Sequence, residues 1–458
     1  MKGVFITKDM TTCNPVKLIL YFSIPLLIGN IFQQFYSMVD TIIVGRFIGV
    51  KALAAVGSTG SMVFLIIGFV LGLSAGFAVL VSQKFGANDT EGIKKSVASA
   101  IVLSVIMSII ITVISIFATK PLLNLMNTPS DIMKDAYSYI IVILAGNSAT
   151  FFYNMISGIL RALGDSKTPL YFLIISSILN VVLDLLFIVS FSMGVAGAAY
   201  ATVISQGVSG LLCFIYTAKK FPILHLKKEH FKFENEYIKQ HLQIGIPMAL
   251  QFSITAIGTI ILQSAVNTFG STVVAAHTAA SRVEQLVMQP SVTFGVTMAT
   301  YVAQNLGARD IDRIKEGVKK CTMINIIIGI VAGIILVFFG DIFVKMFVAN
   351  SDPNVIAYAK QYLVIVAFFF IPLSLIFIYR NALQGMGHTF VPMMAGVGEL
   401  VARSIVAFTL PTIIGYTGIC LAGPMAWIDA ALPLMFDYFK KVNSMSNTSE
   451  SYSLNMLE

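Results

Sequence analysis

The sequence predicts an all-α integral membrane protein with twelve transmembrane helices in two pseudo-symmetric six-helix bundles. Three observations predict it: a composition that water does not support, a lopsided placement of basic residues, and a duplication of the pattern at half length. Of 458 residues, 57% are hydrophobic and 11% charged, whereas an average soluble protein carries about 25% charge. With a mean hydropathy of +0.86, the chain is not a soluble enzyme, a disordered protein or a fibre. The four cysteines, Cys13, Cys213, Cys321 and Cys420, are scattered and form no C-x-x-C. Neither a zinc site nor a disulfide framework is expected.

Charges and turn residues divide the chain into twelve apolar spans: 16–43, 53–83, 95–118, 136–160, 168–190, 195–218, 240–268, 273–306, 319–340, 356–380, 390–412 and 417–439. Each is long enough to cross a bilayer, which takes about 20 residues. The first follows Lys2, Lys8 and Lys17 with no short cleavable apolar segment, so it reads as a retained helix. Prolines 25, 247, 290 and 372 fall inside spans. Membrane helices tolerate them because neighbouring groups re-satisfy the freed carbonyl.

Basic residues orient the spans. The N-terminus, the loops after even-numbered spans and the C-terminus hold 22 of the 30 Lys and Arg; the loops after odd-numbered spans hold 6. The positive-inside rule then places both termini in the cytoplasm of a bacterial plasma membrane. The net charge of +8 is thereby explained without a nucleic-acid partner. The expected division is a cytoplasmic N-terminus (1–15), an N-lobe (16–218), a cytoplasmic linker (219–239), a C-lobe (240–441) and a disordered tail (442–458). The linker carries Lys227, Lys228 and Lys232 among Glu229, Glu234 and Glu236, a composition that also suits contact with anionic lipid.

An offset of 221 to 223 residues aligns the two halves. Ser23-Ile24-Pro25 answers Gly245-Ile246-Pro247. Leu53-Ala54-Ala55 answers Val274-Ala275-Ala276. Gln83, Gly86, Ala87 and Asp89 answer Gln304, Gly307, Ala308 and Asp310, and Leu163-Gly164 answers Met386-Gly387. Six spans per half make this a parallel repeat with a central cleft, the plan of an alternating-access transporter.

Polar residues inside the spans are the functional candidates, because each acid costs about 2.5–3.5 kcal/mol at a helix centre. Asn30, Gln33, Ser37 and Asp40 share one face of span 1, and Ser177, Asn180 and Asp184 share one of span 5. Span 4 adds Tyr139, Asn147 and Asn154, and span 6 adds Thr202, Gln206 and Ser209. These faces must meet one another or water. They predict a polar chamber in which Asp40 and Asp184 bind a proton or a metal cation, with interhelical hydrogen bonding as the structural alternative. In the second half, Glu284 suits either a substrate cation or a basic partner, and His277 a hydrogen-bonding role. Gln251 and Gln263 suit the cleft, and Glu399 with Arg403 an intrahelical ion pair. No G-x-x-x-x-G-K-[ST] loop occurs, so ATP is not expected and an ion gradient would have to drive uphill transport.

The segments Tyr36-Ser37-Met38-Val39-Asp40, Val44-Gly45-Arg46-Phe47-Ile48-Gly49, Gly158 to Asp165, Asn180 to Asp184 and Ala279 to Gln285 resemble the multidrug and toxic compound extrusion (MATE) family, in its DinF-like branch. The resemblance spans about residues 14 to 441. It implies two six-helix lobes around a V-shaped cleft, and a monomer that exports organic, often cationic, compounds in exchange for H+ or Na+. It also implies an N-lobe cation site of Asp40, Asp184, Asn180, Asn154 and Thr202, taking H+ or Na+, with Tyr139 beside it. Pro25 is implied in bending of the first helix on protonation. Gln33, Ser37, Glu284, His277 and Gln251 complete the candidates for substrate contact or conformational coupling. Spans 7 and 10 lack the acids of the family's sodium-coupled branch, so a C-lobe ion site of that kind is not expected. The alternative is a lipid-linked oligosaccharide flippase of the wider superfamily, but only Arg282 and Arg403 sit inside spans to meet a pyrophosphate. No cofactor is expected.

Overall fold

The structure, a computed structural model, describes residues 9–126, 128–232, 234–347 and 353–454. Two expected segments fall partly outside them, the N-terminus (1–8) and the end of the tail (455–458). The described residues are helical throughout, with no strand among them. In chain order the helices are α1 (Pro15–Phe47), α2 (Val50–Gly86), α3 (Thr90–Leu125), α4 (Met133–Ala145), α5 (Asn147–Ala162), α6 (Lys167–Asp184), α7 (Gly194–Lys220) and α8 (Asn235–Asn267). They continue as α9 (Ser271–Gly307), α10 (Ile311–Phe347), α11 (Pro353–Ala367), α12 (Phe370–Gly385), α13 (Phe390–Thr409), the short α14 (Pro411–Ile414) and α15 (Tyr416–Leu454).

Among the described residues nine helices are long and apolar enough to cross a membrane. Two bent pairs bring the number to eleven: α4 with α5, at 44°, and α11 with α12, at 55°. The remaining expected span is α9, which at 37 residues is long enough to cross. Its His277, Ser281, Arg282, Glu284 and Gln285 deny it a sufficiently apolar window.

The sequence repeat is a repeat of turn geometry. Asn88 leaves α2 in the left-handed region (φ 54°), and Asp89 caps α3 by accepting from the Gly92 N–H at 2.8 Å. Arg309 (φ 59°) and Asp310, which accepts from the Arg313 N–H at 2.9 Å, rebuild that turn between α9 and α10. The Leu163-Gly164 and Met386-Gly387 matches are helix ends: Gly164 (φ 84°) and Gly387 (φ 82°) adopt the left-handed conformation that closes α5 and α12. The bent pairs correspond as well.

Contacts divide the chain into two compact units. One contains 24–253 and the other contains 10–23 with 254–458. The linker 219–239 stays with the first unit. So does the start of α8, for a steric reason: a side chain on Gly72 would meet Ala249 Cα at 2.5 Å, and one on Gly76 would meet Gly245 Cα at 2.5 Å. Two small residues four apart on each helix let the backbones of α2 and α8 touch. Conversely, the start of α1 belongs to the second unit. Met10 N–H donates to Gln304 Oε1 at 2.9 Å, Arg313 Nη2 donates to the Thr12 and Cys13 carbonyls at 2.8 and 2.7 Å, and Ser23 pairs with Thr297 at 2.8 Å. Each half of the repeat thus lends the first turns of its first helix to the other unit.

Composition predicts disorder from residue 442, but α15 runs on to Leu454. Val442, buried at 2% exposure just beyond Lys440 and Lys441, anchors the helix past the last basic pair.

Candidate functional site: a buried carboxyl pair

Within the first unit, α1, α4, α6 and α7 bring polar side chains together. Asp184 is the last residue of α6 and is followed by a wide π turn, Leu185–Ser190. Such turns are rare and cluster at functional positions. Asp184 and Asn180, one turn earlier, are both fully buried. The Asn180 amide is satisfied when its nitrogen donates to Asp184 Oδ2 at 3.1 Å and its oxygen accepts from the Thr202 N–H at 3.2 Å. From α1, the Asp40 carboxyl closes on that of Asp184. Tyr36, one turn before Asp40, hydrogen-bonds to the Thr202 side chain, and Tyr139 of α4 faces Asp40, Tyr36 and Asp184. Apolar residues, among them Ile43, Val44, Ile188 and Ala198, form one packed cluster that Tyr139 also joins. Asp40 Oδ1 and Asp184 Oδ1 are buried without a protein partner.

A direct contact between two carboxyls requires a proton between them, because two carboxylates offer only acceptors. The donor set also suits a hard monovalent cation, since two orphaned carboxylate oxygens and the Thr202 hydroxyl are oxygen ligands. Among the described residues no three His, Cys, Asp or Glu side chains converge as a transition-metal site.

Of the residues the sequence singles out, the structure assembles Asp40, Asp184, Asn180, Thr202 and Tyr139. Asn154 instead donates to the Thr150 carbonyl of its own helix at 2.8 Å. Gln33 and Ser37 are exposed on α1. Pro25 is buried in α1 and Gln251 is buried in α8. Tyr36 is not among the site candidates of the sequence; its signals there are its place one turn before Asp40 and in the family-like segment Tyr36 to Asp40.

The second unit holds a separate network. Tyr362 on α11 donates to Glu284 on α9 at 2.7 Å and also hydrogen-bonds to Ser281. Glu399 on α13 accepts from Arg403 at 2.6 Å and from Arg380 on α12 at 3.1 Å. All three members of this triad are buried. The Glu399–Arg403 pair is the expected intrahelical one. Arg380 is a correction: charge counting assigns it to a loop, whereas it lies buried within α12, where only an acid could satisfy it.

One further motif is disarmed by its setting. Gly72-Leu73-Ser74-Ala75-Gly76 has the spacing of a hydrolase nucleophile elbow, G-x-S-x-G. It lies in the middle of α2, where the buried Ser74 hydroxyl donates to the Val70 carbonyl and the glycines seat α8.

The sequence profile of the family described as MatE matches residues 25–186 and, a second time, 247–409. The chain belongs to the MATE family of multidrug efflux transporters. The double match agrees with the internal duplication. Among similar proteins is the "Probable multidrug resistance protein YpnP" of Bacillus subtilis (strain 168), 31% identical over 379 residues and covering 83% of this chain and 84% of that protein. Another is the "Probable multidrug resistance protein NorM" of Thermotoga maritima, 24% identical and covering 90% and 88%. A solved structure called "Crystal structure of MATE in the bent conformation" is 25% identical, covers 97% of this chain and all of that one, and aligns with a TM-score of 0.89. As a MATE protein the chain is a multi-span membrane transporter of small molecules and not an enzyme, and the family does not favour the flippase alternative.

Proposed function

We propose that this MATE protein is a secondary active exporter that releases organic, often cationic and lipophilic, compounds in exchange for protons taken up at Asp40 and Asp184. The observation that carries the reading is the close carboxyl pair, buried and backed by an Asn180 donor. A pair holding one proton carries one negative charge, and a second proton neutralises it. The cost of burying that charge therefore falls on protonation, and the contact that draws α1 towards α6 changes with it. Pro25 gives α1 a place to respond, since its missing N–H removes one rung of the helix ladder. Alternating access then follows from coupling the state of the pair to the position of α1. One proton moving down 100 mV supplies about 2.3 kcal/mol, enough for roughly a fifty-fold gradient of neutral cargo.

Sodium is the second reading, supported by the orphaned oxygens. The proton is favoured because two carboxyls brought together offer only acceptors and need a proton between them. We further propose that the protein works as a monomer in the bacterial plasma membrane; the basic loops support placing both termini in the cytoplasm. Dye transport into inverted vesicles tests the coupling. An imposed pH gradient is expected to drive uptake, and a Na+ gradient at fixed pH is expected to be silent. Uptake driven by Na+ alone would transfer the site to sodium, and uptake indifferent to both gradients would remove the exchange mechanism.

A further inference from the structure

A groove of about 660 Å³ opens in the first unit, remote in composition from the carboxyl pair and sharing none of its residues. Its walls are apolar and come from three helices and the linker: Val97 of α3, Phe152 and Ile156 of α5, Phe214 of α7, and Leu226 and Phe231 beyond α7. Its floor is the packed core around Val97, Met155, Ile159 and Cys213. Leu211 and Phe214 on α7 are 53% and 46% exposed, so apolar surface continues from the groove outward. On a membrane-spanning helix that surface faces hydrocarbon.

The groove ends where the basic residues are densest. Lys219 and Lys220 finish α7, and Lys227, Lys228 and Lys232 follow in the linker; all five are exposed. Of the linker acids, Glu229 pairs with Lys227 at 3.6 Å and Glu234 with Lys95 at 2.8 Å, while Glu236 accepts from Gln240 at 3.2 Å and forms no ion pair among the described residues. Lys219, Lys220, Lys228 and Lys232 form no ion pair among the described residues. The linker is held against this end of the groove, because His225 donates from Nε2 to the Ala218 carbonyl at 2.7 Å and His230 contacts Glu91 at 3.2 Å.

From this juxtaposition of an apolar slot and an unneutralised lysine cluster, we propose that the groove binds one anionic phospholipid of the cytoplasmic leaflet, its acyl chain along Phe152, Ile156 and Phe214 and its phosphate against Lys219, Lys220, Lys228 and Lys232. The two halves of the site require an amphiphile with an anionic head. A cationic drug is repelled at the mouth, and a free phosphate leaves the slot unfilled. Each lysine near an anionic surface is worth about a five-fold preference. Bound lipid would fasten the linker between the two halves of the repeat to the membrane surface.

The single tryptophan makes the test direct. Trp427→Phe with Leu211→Trp places the only indole at the groove. The full-length protein is reconstituted in phosphatidylcholine vesicles containing equal fractions of chain-brominated phosphatidylglycerol or chain-brominated phosphatidylcholine. Quenching by the brominated phosphatidylglycerol is expected to be at least about five-fold more effective. Raising salt from 50 to 500 mM, and separately replacing Lys219, Lys220, Lys228 and Lys232 by Gln, is expected to erase the difference while dye transport persists. Equal quenching by the two lipids, a preference that survives both treatments, or no quenching by either would overturn the proposal. The salt arm needs no lysine variant, so a misfolded variant does not decide the outcome.

Discussion

The Tyr362 hydroxyl donates to the Glu284 carboxylate at 2.7 Å, and His277, two turns before Glu284 on α9, sets its ring edge-on to the same tyrosine at 4.7 Å between centroids. Arg403 attracts Glu284 from α13. Sequence alone leaves Glu284 between a substrate cation and a basic partner. In the folded chain its hydrogen-bond partner is a neutral phenol. Tyr362→Phe removes that donor and leaves a buried acceptor unmet, which should cost about 1–3 kcal/mol. Glu284→Gln keeps an acceptor oxygen and should cost less. Thermal unfolding of the purified variants in detergent checks the order; a more severe loss in Glu284→Gln would mean the charge, not the hydrogen bond, holds the network.

Among the described residues, Glu399 is the one acid in ion-pair contact with Arg380 and Arg403. Removing its charge strands two guanidinium groups, and breaking a buried pair costs about 3–5 kcal/mol. Glu399→Gln should therefore express poorly and melt well below the parent. Glu399→Gln combined with Arg380→Met and Arg403→Met should recover much of the loss. Failure of the triple variant to recover would show that the triad is needed for more than charge balance.

At the carboxyl pair, Asp184→Asn and Asp40→Asn should each abolish dye resistance while the protein still reaches the membrane, because neither amide takes up the exchanged proton. Tyr36→Phe, which loses only the bond to Thr202, should slow transport by less than about ten-fold, given a hydrogen bond worth about 1 kcal/mol. Growth in toxic dyes alongside membrane immunoblots separates loss of transport from loss of protein. Full resistance in Asp184→Asn would sink the assigned role.

Pro25 is buried in α1, fifteen residues before Asp40. Pro25→Ala should restore the missing helix rung, impair transport and leave ion binding nearly intact. Proton release on addition of substrate to detergent-solubilised protein reads the binding step alone. If that release disappears, the proline shapes the site instead of relaying its state.

The paired turns offer a symmetric control. Asp89→Ala and Asp310→Ala each delete an N-cap, at a cost of about 1 kcal/mol. Two equal, small decreases in melting temperature are expected, with transport retained. A large difference between them would show that the two turns are not equivalent in energy, despite φ values of 54° and 59° at the residues before the caps.

Much of the site was legible because polar residues in lipid are conspicuous. Asp40, Asn180 and Asp184 stand out in apolar surroundings, and helical spacing puts Asn180 over Asp184. Asn154 donates to the Thr150 carbonyl of its own helix, a bond that looks the same in sequence as one that crosses to a neighbour. Tyr36, though part of a family-like segment, does not stand out as a site residue because an amphipathic tyrosine is unremarkable in a membrane span. Arg380 was misplaced because charge alone marks loops, and only its contact with Glu399, 19 residues away, makes burial tolerable.

By itself the sequence determined the solvent, the helical character of the spans, the parallel repeat and the positions of its turns. These are local or additive properties: apolar length, basic residues per loop, and an Asp or Gly where the backbone needs a cap or a left-handed residue. Only the tertiary structure decided which polar faces meet. It joined α1 to α6 through two carboxyls, placed the π turn after Asp184, and exchanged the first turns of α1 and α8 between units. Those outcomes depend on helix rotation and on close contacts such as Gly72 against Ala249. Rotation about a helix axis is set by the summed packing of every neighbour, and no single stretch of sequence carries that sum.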